Sequence, residues 1–162
     1  MRRYIPPMPS PVIERDDPRR EDVQALLRTH LSFAREHSPP EDVHALDTDG
    51  LVADGISFFS LRRDGVLLGV GALKEVEAGH GEIKSMHTAA AARGQGVGRA
   101  MLDHLLATAR ERGYRRVSLE TGTMEAFAAA RALYASAGFV ECPPFSGYWE
   151  SPYSVCMTLE LA

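Results

Sequence analysis

The chain has 162 residues, of which 44% are hydrophobic and 25% are charged, and its formal net charge is -4 at pH 7. These values are typical of one globular domain that buries its own core, and the negative charge argues against nucleic acid as a partner. No apolar run is as long as a membrane span, and Cys142 and Cys156 have neither metal-ligand spacing nor a CxxC arrangement. We therefore predict a single domain over residues 1–162 in the cytoplasm, with no metal site and no membrane partner.

The first third of the chain is predicted to contain an arm, a strand and two helices. Prolines near the N-terminus replace the apolar segment of a secretory signal, and apolar residues further on recur at helical spacing. A serine followed by two prolines then gives a second helix-start signal. In order, we predict a flexible arm at residues 1–11, a strand at 12–15, a helix at 18–36, a short helix through Val43 and Leu46, and a turn at 47–50.

The middle of the chain is predicted to be an antiparallel meander of three strands. Its apolar segments are separated by turn signals, of which Asp64-Gly65 is typical of a tight hairpin. The predicted strands are residues 56–62, 66–77 and 82–88, with a second turn at residues 79–81.

The last part of the chain alternates helices and strands. Residues 97–112 form the clearest helix, because their apolar side chains form one stripe and Gly113 follows as a helix-ending residue. A meander followed by such crossovers predicts an α/β sheet with one antiparallel half. The remaining predicted elements are a strand at residues 116–120, a helix at 124–137, strands at 139–142 and 154–161, and a loop at 143–152.

A glycine-rich segment, Arg93-Gly94-Gln95-Gly96-Val97-Gly98, joins a predicted strand to the helix at 97–112. Glycines at alternate positions let backbone N–H groups approach an anion closely, and the helix adds the positive end of its dipole. Arg93 and Arg99 flank the loop and can add charge-assisted hydrogen bonds. The pattern predicts an anion site suited to phosphate, while its spacing fits neither GxxxxGK[ST] nor GxGxxG.

Two motifs together resemble the GNAT superfamily of N-acetyltransferases. Residues 93–98 are similar to that family's R/Q-x-x-G-x-G/A motif, and residues 130–139 resemble its A-x-x-L-Y-x-x-x-G-F helix end. Residues 12–161 follow the family's element order and resemble a bacterial subgroup of uncharacterised members. The resemblance implies a GNAT fold of the α/β class, with a mixed central sheet of about six to seven strands, a splayed middle and about four flanking helices.

The resemblance also implies acetyl-CoA as the cofactor. In that family the loop amides hold the CoA pyrophosphate, and the pantetheine adds like a strand to a sheet edge in the gap between two splayed strands. The cofactor-binding residues that it implies are Met86, His87 and Thr88 on one strand, and Arg93, Gly94, Gln95, Gly96, Val97, Gly98 and Arg99 around the loop.

Acetyl transfer needs a base for the amine, whose free pKa is about 10.4, and an acid for the leaving thiolate. Tyr134 matches the family tyrosine beside the CoA sulfur and is the predicted acid. Glu82 is the predicted base, because it lies 11 residues before Arg93, where histone-acetylating relatives carry their glutamate. Glu120 is the second candidate base and His87 is the third.

The strand that carries Glu82 has a simple alternation pattern. On a regular strand Glu82, Lys84, Met86 and Thr88 share one face, and a bulge of the kind common in this family would alter that pattern.

The acceptor pocket is predicted to form from the first helices and the late loop. The aromatic loop at residues 145–153 is either a lid over a small substrate or a dimer contact. Phe127 stands where many relatives have an asparagine seven residues before the tyrosine, so an asparagine contact to the cofactor is missing. The candidate lining residues are His37, Ser38, Glu41, Asp47, Ser146, Tyr148 and Trp149.

We therefore predict an N-acetyltransferase that moves an acetyl group from acetyl-CoA directly to a primary amine of a small molecule. A homodimer is the family-level expectation. Acetylation of a protein lysine or N-terminus, a non-catalytic acyl-CoA-binding sensor, and a nucleotide-binding module of another type are the alternatives.

Overall fold

Seven strands form one mixed sheet in the order β1-β2-β3-β4-β5-β7-β6. The computed structural model describes residues 2–161, so Met1 of the predicted arm and Ala162 lie outside the described residues. The strands are β1 Val12–Arg15, β2 Ile56–Arg63, β3 Val66–Glu77, β4 His80–Thr88, β5 Arg116–Gly122, β6 Val140–Cys142 and β7 Ser154–Glu160. The helices within the described residues are α1 Glu21–His37, α2 Thr48–Leu51, α3 Val97–Glu111 and α4 Ala128–Ser136. The predicted mixed α/β fold is thus confirmed.

The sheet opens in its middle, between β4 and β5. These strands are parallel and pair only at residues 80–82 and 116–118, although β4 continues to Thr88 and β5 to Gly122. Beyond the short paired segment, the facing edges of the two strands diverge. The predicted splay is confirmed, and it leaves backbone groups of β4 free to bind something other than β5.

Helices cover both faces of the sheet. On one face the apolar stripe of α3, which includes Met101 and Leu105, is fully buried together with Leu73 of β3. On the other face Val23 of α1 packs with Val70 of β3. The predicted stripe at residues 97–112 therefore builds the larger half of the core, because burying apolar surface is the main force that holds an amphipathic helix in place.

A bulge in β4 interrupts its alternation. The register with β3 shifts between the pairs Val70↔His87 and Ala72↔Lys84, and Ser85 has φ 56. Met86 then packs with the α3-side core, while His87 contacts α1. The expectation that Glu82, Lys84, Met86 and Thr88 share one face is therefore wrong beyond Lys84, because one extra residue reverses the alternation that follows it.

Four local predictions differ from the structure. The short helix through Val43 and Leu46 is wrong, because the helical turns lie on either side of it, at Pro40–Asp42 and in α2. The turn at residues 47–50 is instead the start of α2, where Asp47 accepts a hydrogen bond from the backbone N–H of Gly50 at 2.9 Å as an N-cap.

The third difference concerns the turn predicted at residues 79–81. His80 and Gly81 belong to β4, because His80 is 4% exposed and bonds through Nε2 to the Ser118 hydroxyl group at 2.7 Å. The predicted helix at 124–137 is also divided, with a 3-10 turn at Glu125–Phe127 before α4.

Residues 2–11 form neither helix nor strand and are exposed to solvent. Cys142 and Cys156 lie opposite each other in β6 and β7 as free thiols. No helix among the described residues has the combined length and apolar character that crossing a membrane requires.

Candidate active site

A cavity of about 440 Å³ lies where β4 and β5 diverge. Its walls come from both strands, from α1, from the segment at residues 42–45, and from α4, with Tyr148 of the late loop beside them. Glu82, Glu120 and Tyr134, the three residues predicted to carry the chemistry, all line this one cavity. The splay of the sheet therefore brings together side chains that are far apart in sequence.

The glycine-rich loop lies at one end of the cavity. Gly94 and Gly96 have φ 77 and 78, a left-handed conformation that glycine adopts without strain, and Gly96 is the N-cap of α3. A Cβ atom on Gly98 would lie 3.3 Å from Cδ2 of Leu133, so glycine also permits close packing of α3 against α4. The backbone here is bare, and the N–H groups of the first turn of α3 have no side-chain cap, which is the arrangement that suits an anion.

The side chains around this loop differ in what they can do. Arg93 is exposed and lines the cavity. Arg99 instead bonds to Asp103 at 3.0 Å and to the Ser136 hydroxyl at 3.2 Å. The amide oxygen of Gln95 accepts a hydrogen bond from Arg63 at 3.2 Å. Arg93 is therefore the better placed of the two predicted arginines to meet a ligand.

Two histidines form the α1 side of the cavity beyond the bulge. The Nδ1 atoms of His30 and His87 lie 3.2 Å apart, so one ring donates a hydrogen bond to the other. Burial, reinforced by the neighbouring His87, lowers the pKa of His30 to about 4, and burial with the nearby Arg93 lowers the pKa of His87. Both rings are therefore neutral at pH 7, and His87 is a weaker base than an exposed histidine.

Glu82 lies at the closed end of the gap and is 2% exposed. Its carboxylate accepts a short hydrogen bond from the Tyr148 hydroxyl and another from Lys84 Nζ at 3.2 Å. Lys84 Nζ also donates to the Tyr148 oxygen at 2.9 Å. Burial and the carboxylate of Glu82 together raise the pKa of Tyr148. The three groups form one buried, charge-paired cluster in which the tyrosine hydroxyl can carry a proton to or from the carboxylate.

Glu120 lies on β5, two residues beyond Ser118, which pairs with Glu82 of β4. It accepts a hydrogen bond from the Ser154 hydroxyl at 2.7 Å. Burial raises its pKa to about 6, against smaller lowering effects from Ser154 and Lys84. Glu120 is therefore the cavity carboxyl group whose charge changes just below neutral pH.

The raised pKa of Glu120 predicts how the stability of the fold depends on pH. Because the folded protein holds the Glu120 proton up to about pH 6, and the unfolded chain releases it near 4.5, folding stability should fall as the pH rises through that window. The loss is roughly 2 kcal/mol for a shift of this size. In urea denaturation from pH 4 to 7, the Glu120→Gln variant should lack this decline. The exposed-site variant Glu141→Gln should retain it, and parallel profiles for wild type and Glu120→Gln would show that Glu120 is not the cause.

Tyr134 reaches the cavity from the opposite face of the sheet. It is the buried residue of the last turns of α4 and is 8% exposed. Burial, with a smaller effect of Glu120, raises its pKa to about 12. The hydroxyl therefore keeps its proton at neutral pH, and it is available as a hydrogen-bond donor.

Phe127, at the position of the missing asparagine, has a packing role. Its ring lies so close to Gly122 that a Cβ atom there would come within 2.3 Å of it. The ring also packs edge-on against Phe33 of α1, with ring centroids 5.3 Å apart. Phe127 thus joins α1 to the end of β5 and closes that side of the cavity with apolar surface in place of an amide.

Two of the seven residues predicted to line an acceptor pocket line this cavity. Ser38 and Tyr148 line the cavity, whereas the other five candidates do not; these are His37, Glu41, Asp47, Ser146 and Trp149. Asp42, His44 and Lys84 line the cavity and were not predicted. The alternation of Lys84 with Glu82 along β4 could have indicated that Lys84 lines the same cavity. Asp42 and His44 belong to a segment that was predicted as part of a helix, and no sequence pattern indicated that they line the cavity.

The late loop folds back over the site within the same chain. The rings of Tyr148 and Trp149 each lie 4.8 Å from the ring of His44, centroid to centroid. Phe145 packs 5.5 Å from the ring of His80. These contacts hold residues 143–152 across the open face of the sheet beside the cavity.

Known proteins are similar to this chain in sequence and in fold. The model of the acetyltransferase (GNAT) family matches residues 21–139. The uncharacterized N-acetyltransferase YsnE of Bacillus subtilis is 46% identical over 149 residues, which are 92% of this chain and 99% of that protein. IAA acetyltransferase of Azospirillum brasilense is 34% identical and is matched over 93% of this chain and 97% of its own length. A solved Klebsiella pneumoniae structure, provisionally described as an acyl-CoA N-acyltransferase, is 29% identical with a TM-score of 0.80 and covers 94% and 98% of the two chains.

Proposed function

This chain belongs to the acetyltransferase (GNAT) family, and we propose that it transfers an acetyl group from acetyl-CoA to the primary amine of a small molecule. The observation that carries this proposal is the cavity in the splayed sheet. The buried carboxyl group of Glu82, the partly buried carboxyl group of Glu120 and the Tyr134 hydroxyl line it beside a bare, glycine-rich helix start. This set supplies a base, a hydrogen-bond donor for a leaving group and an anion site in one place.

Acetyl-CoA fits the residues present at the loop end of the cavity. The uncapped amides at Gly94 to Gly98 and the side chain of Arg93 suit a pyrophosphate. Backbone groups at residues 86–88, on the edge of β4 that β5 leaves unpaired, suit the amide groups of pantetheine. Acetyl-CoA supplies the activated acetyl group, and these residues bind it and fix its orientation.

The reaction forms one C–N bond and breaks one C–S bond. The amine nitrogen attacks the thioester carbonyl carbon after giving up its extra proton to a carboxylate. The C–S electron pair leaves with sulfur, and the Tyr134 hydroxyl donates a hydrogen bond, and finally a proton, to that thiolate. The second amine proton is released as the amide forms, and solvent restores the proton of Tyr134. The products are an N-acetyl amide and free CoA thiol.

We assign the base to Glu82, acting directly or through the Tyr148 hydroxyl. Glu82 has a proton path already formed, because Tyr148 donates to it and Lys84 donates to both. Glu120 contributes negative charge that attracts the ammonium form of the amine. The two neutral histidines, His30 and His87, shape the α1 side of the cavity.

A small acceptor is favoured over a protein. The late loop lies across the site, with Tyr148 inserted beside Glu82, and leaves little room for an extended peptide. Three carboxylates line the cavity, namely Asp42, Glu82 and Glu120, and they favour a cationic acceptor.

A thiol-release assay tests the proposal. The purified chain is incubated with acetyl-CoA and single members of a panel of amines, amino acids, lysine peptides and IAA, the compound in the name of one relative. We expect free CoA thiol to appear with a class of small amines and to match the N-acetyl product by mass spectrometry. Release only with peptides would favour protein acetylation, and acetyl-CoA binding without turnover of any acceptor would favour a sensor.

A further inference from the structure

We propose that the acceptor carries a second positive charge, bound by Asp42, and is therefore a short diamine. This inference rests on the proposed function, because it assigns the substrate class of the same cavity. It is carried by the buried carboxylate of Asp42, whose Oδ1 atom has no hydrogen-bond partner among residues 2–161.

Asp42 is 7% exposed and lines the cavity. Its Oδ1 atom is buried and has no hydrogen-bond partner within residues 2–161. The 3-10 turn Pro40–Asp42 fixes the residue, with the backbone N–H of Asp42 donating to the Pro39 carbonyl at 2.9 Å. Buried carboxylate oxygens are normally paired, so an unpaired one on a side chain that lines a cavity points to a cation or donor supplied by a ligand.

The neighbouring charges do not supply that partner. Lys84 is the cationic side chain at this end of the cavity, and its ammonium group is already bonded to Glu82 and Tyr148. Burial lowers the pKa of His44, which follows close after Asp42 in the chain, so its ring is neutral at pH 7. Asp42 and Glu120 therefore remain as two carboxylates without a cation among the residues that line the cavity.

These two carboxylates, Asp42 and Glu120, match two ammonium groups. The amine to be acetylated binds between Glu82 and Glu120, and the second amine binds Asp42. The cavity wall includes the apolar side chains of Phe33 and Val43, which suit a methylene chain. A monoamine would leave Asp42 unpaired, and an amino acid would place its carboxylate against it, so both should be poorer acceptors.

Putrescine, butylamine and γ-aminobutyrate are matched probes, because they share one chain length and differ in the far group. We expect kcat/KM for putrescine to exceed that for butylamine by about tenfold or more, with γ-aminobutyrate lowest. In the Asp42→Asn variant the ratio of kcat/KM for putrescine to that for butylamine should collapse, because the far ammonium group of putrescine loses its partner and the methyl end of butylamine has none to lose. The control is Glu41→Gln, which removes the adjacent carboxylate that does not line the cavity.

A binding experiment separates this inference from the proposed function. Calorimetric titration of the wild-type chain with putrescine and with butylamine measures recognition without turnover and needs no variant. Tighter putrescine binding supports the subsite even if no thiol is released, in which case only the acetyl transfer fails. Equal binding of the two amines, or an equal loss of both in Asp42→Asn, overturns the second-charge proposal while leaving amine acetylation intact.

Discussion

Glu82→Gln is expected to lower kcat/KM for acetyl transfer by about 100-fold to 1000-fold at pH 7. The amide keeps the shape of the side chain but cannot accept a proton, and it ends the path through the Tyr148 hydroxyl. The same change leaves the ammonium of Lys84, whose side chain is 8% exposed, without its carboxylate. We therefore also expect a loss of stability of about 3 kcal/mol, as for other broken buried ion pairs.

A double variant separates these two effects. Glu82→Gln with Lys84→Met removes both charges, so the free energy of unfolding should recover most of what the single change loses. Catalysis should not recover, because no base has been restored. Urea denaturation and thiol release measure the two quantities on the same samples. If Glu82→Gln keeps activity within about threefold of wild type while Glu120→Gln is inactive, then Glu120 is the base.

Tyr134→Phe is expected to lower kcat by about 100-fold while leaving KM for acetyl-CoA nearly unchanged. The hydroxyl acts on the thiolate that develops as the C–S bond breaks, and the intact thioester gains little from it. Because burial raises the pKa of this phenol to about 12, it stabilises the thiolate first as a hydrogen-bond donor and gives up its proton only late. The rate should therefore show no decline near pH 10 from ionisation of this tyrosine.

Tyr114→Phe is the matched control for this variant. Tyr114 is also 8% exposed, but it packs beside Gly81 and does not line the cavity. Steady-state thiol release should show wild-type kcat for Tyr114→Phe and the loss for Tyr134→Phe. An equal, small effect of both changes would mean that Tyr134 is only a core residue.

Local patterns in the sequence predicted the parts of the fold that local physics determines. The apolar stripe of α3 and the glycines at 94 and 96 need no distant partner to be recognised, and both lie where they were expected. The meander also followed from its apolar segments and turn signals, whereas the splay between β4 and β5 was implied by the resemblance to the family. Tyr134 lines the cavity, as the helix-end motif implied.

Other parts of the site depend on contacts that are remote in sequence. Tyr148 lies 66 residues from Glu82, and no local pattern shows that its hydroxyl meets that carboxylate. Asp42 has the appearance of a surface helix-start residue, and only the packing of the surrounding chain makes it a buried wall of the cavity. The prediction of a helix through Val43 and Leu46 was wrong, because the backbone in this wall of the cavity is irregular between two short helical turns.

The bulge at Ser85 has a consequence for how this site can change. Upstream of it, Glu82 and Lys84 contact Tyr148 of the late loop. Downstream, the alternation is inverted, so His87 faces α1 while Met86 and Thr88 turn toward α3. The side-chain alternation of β4 therefore differs before and after the bulge. Under the proposed function, the first part serves the acetyl transfer and the second part lies beside acetyl-CoA. Deleting a single residue at the bulge would move the side chains beyond it to the opposite face of the sheet, so that His87 would face α3 and Met86 would face α1. Under the proposed function, the length of β4, more than the identity of Ser85, therefore determines which side chains lie beside each substrate.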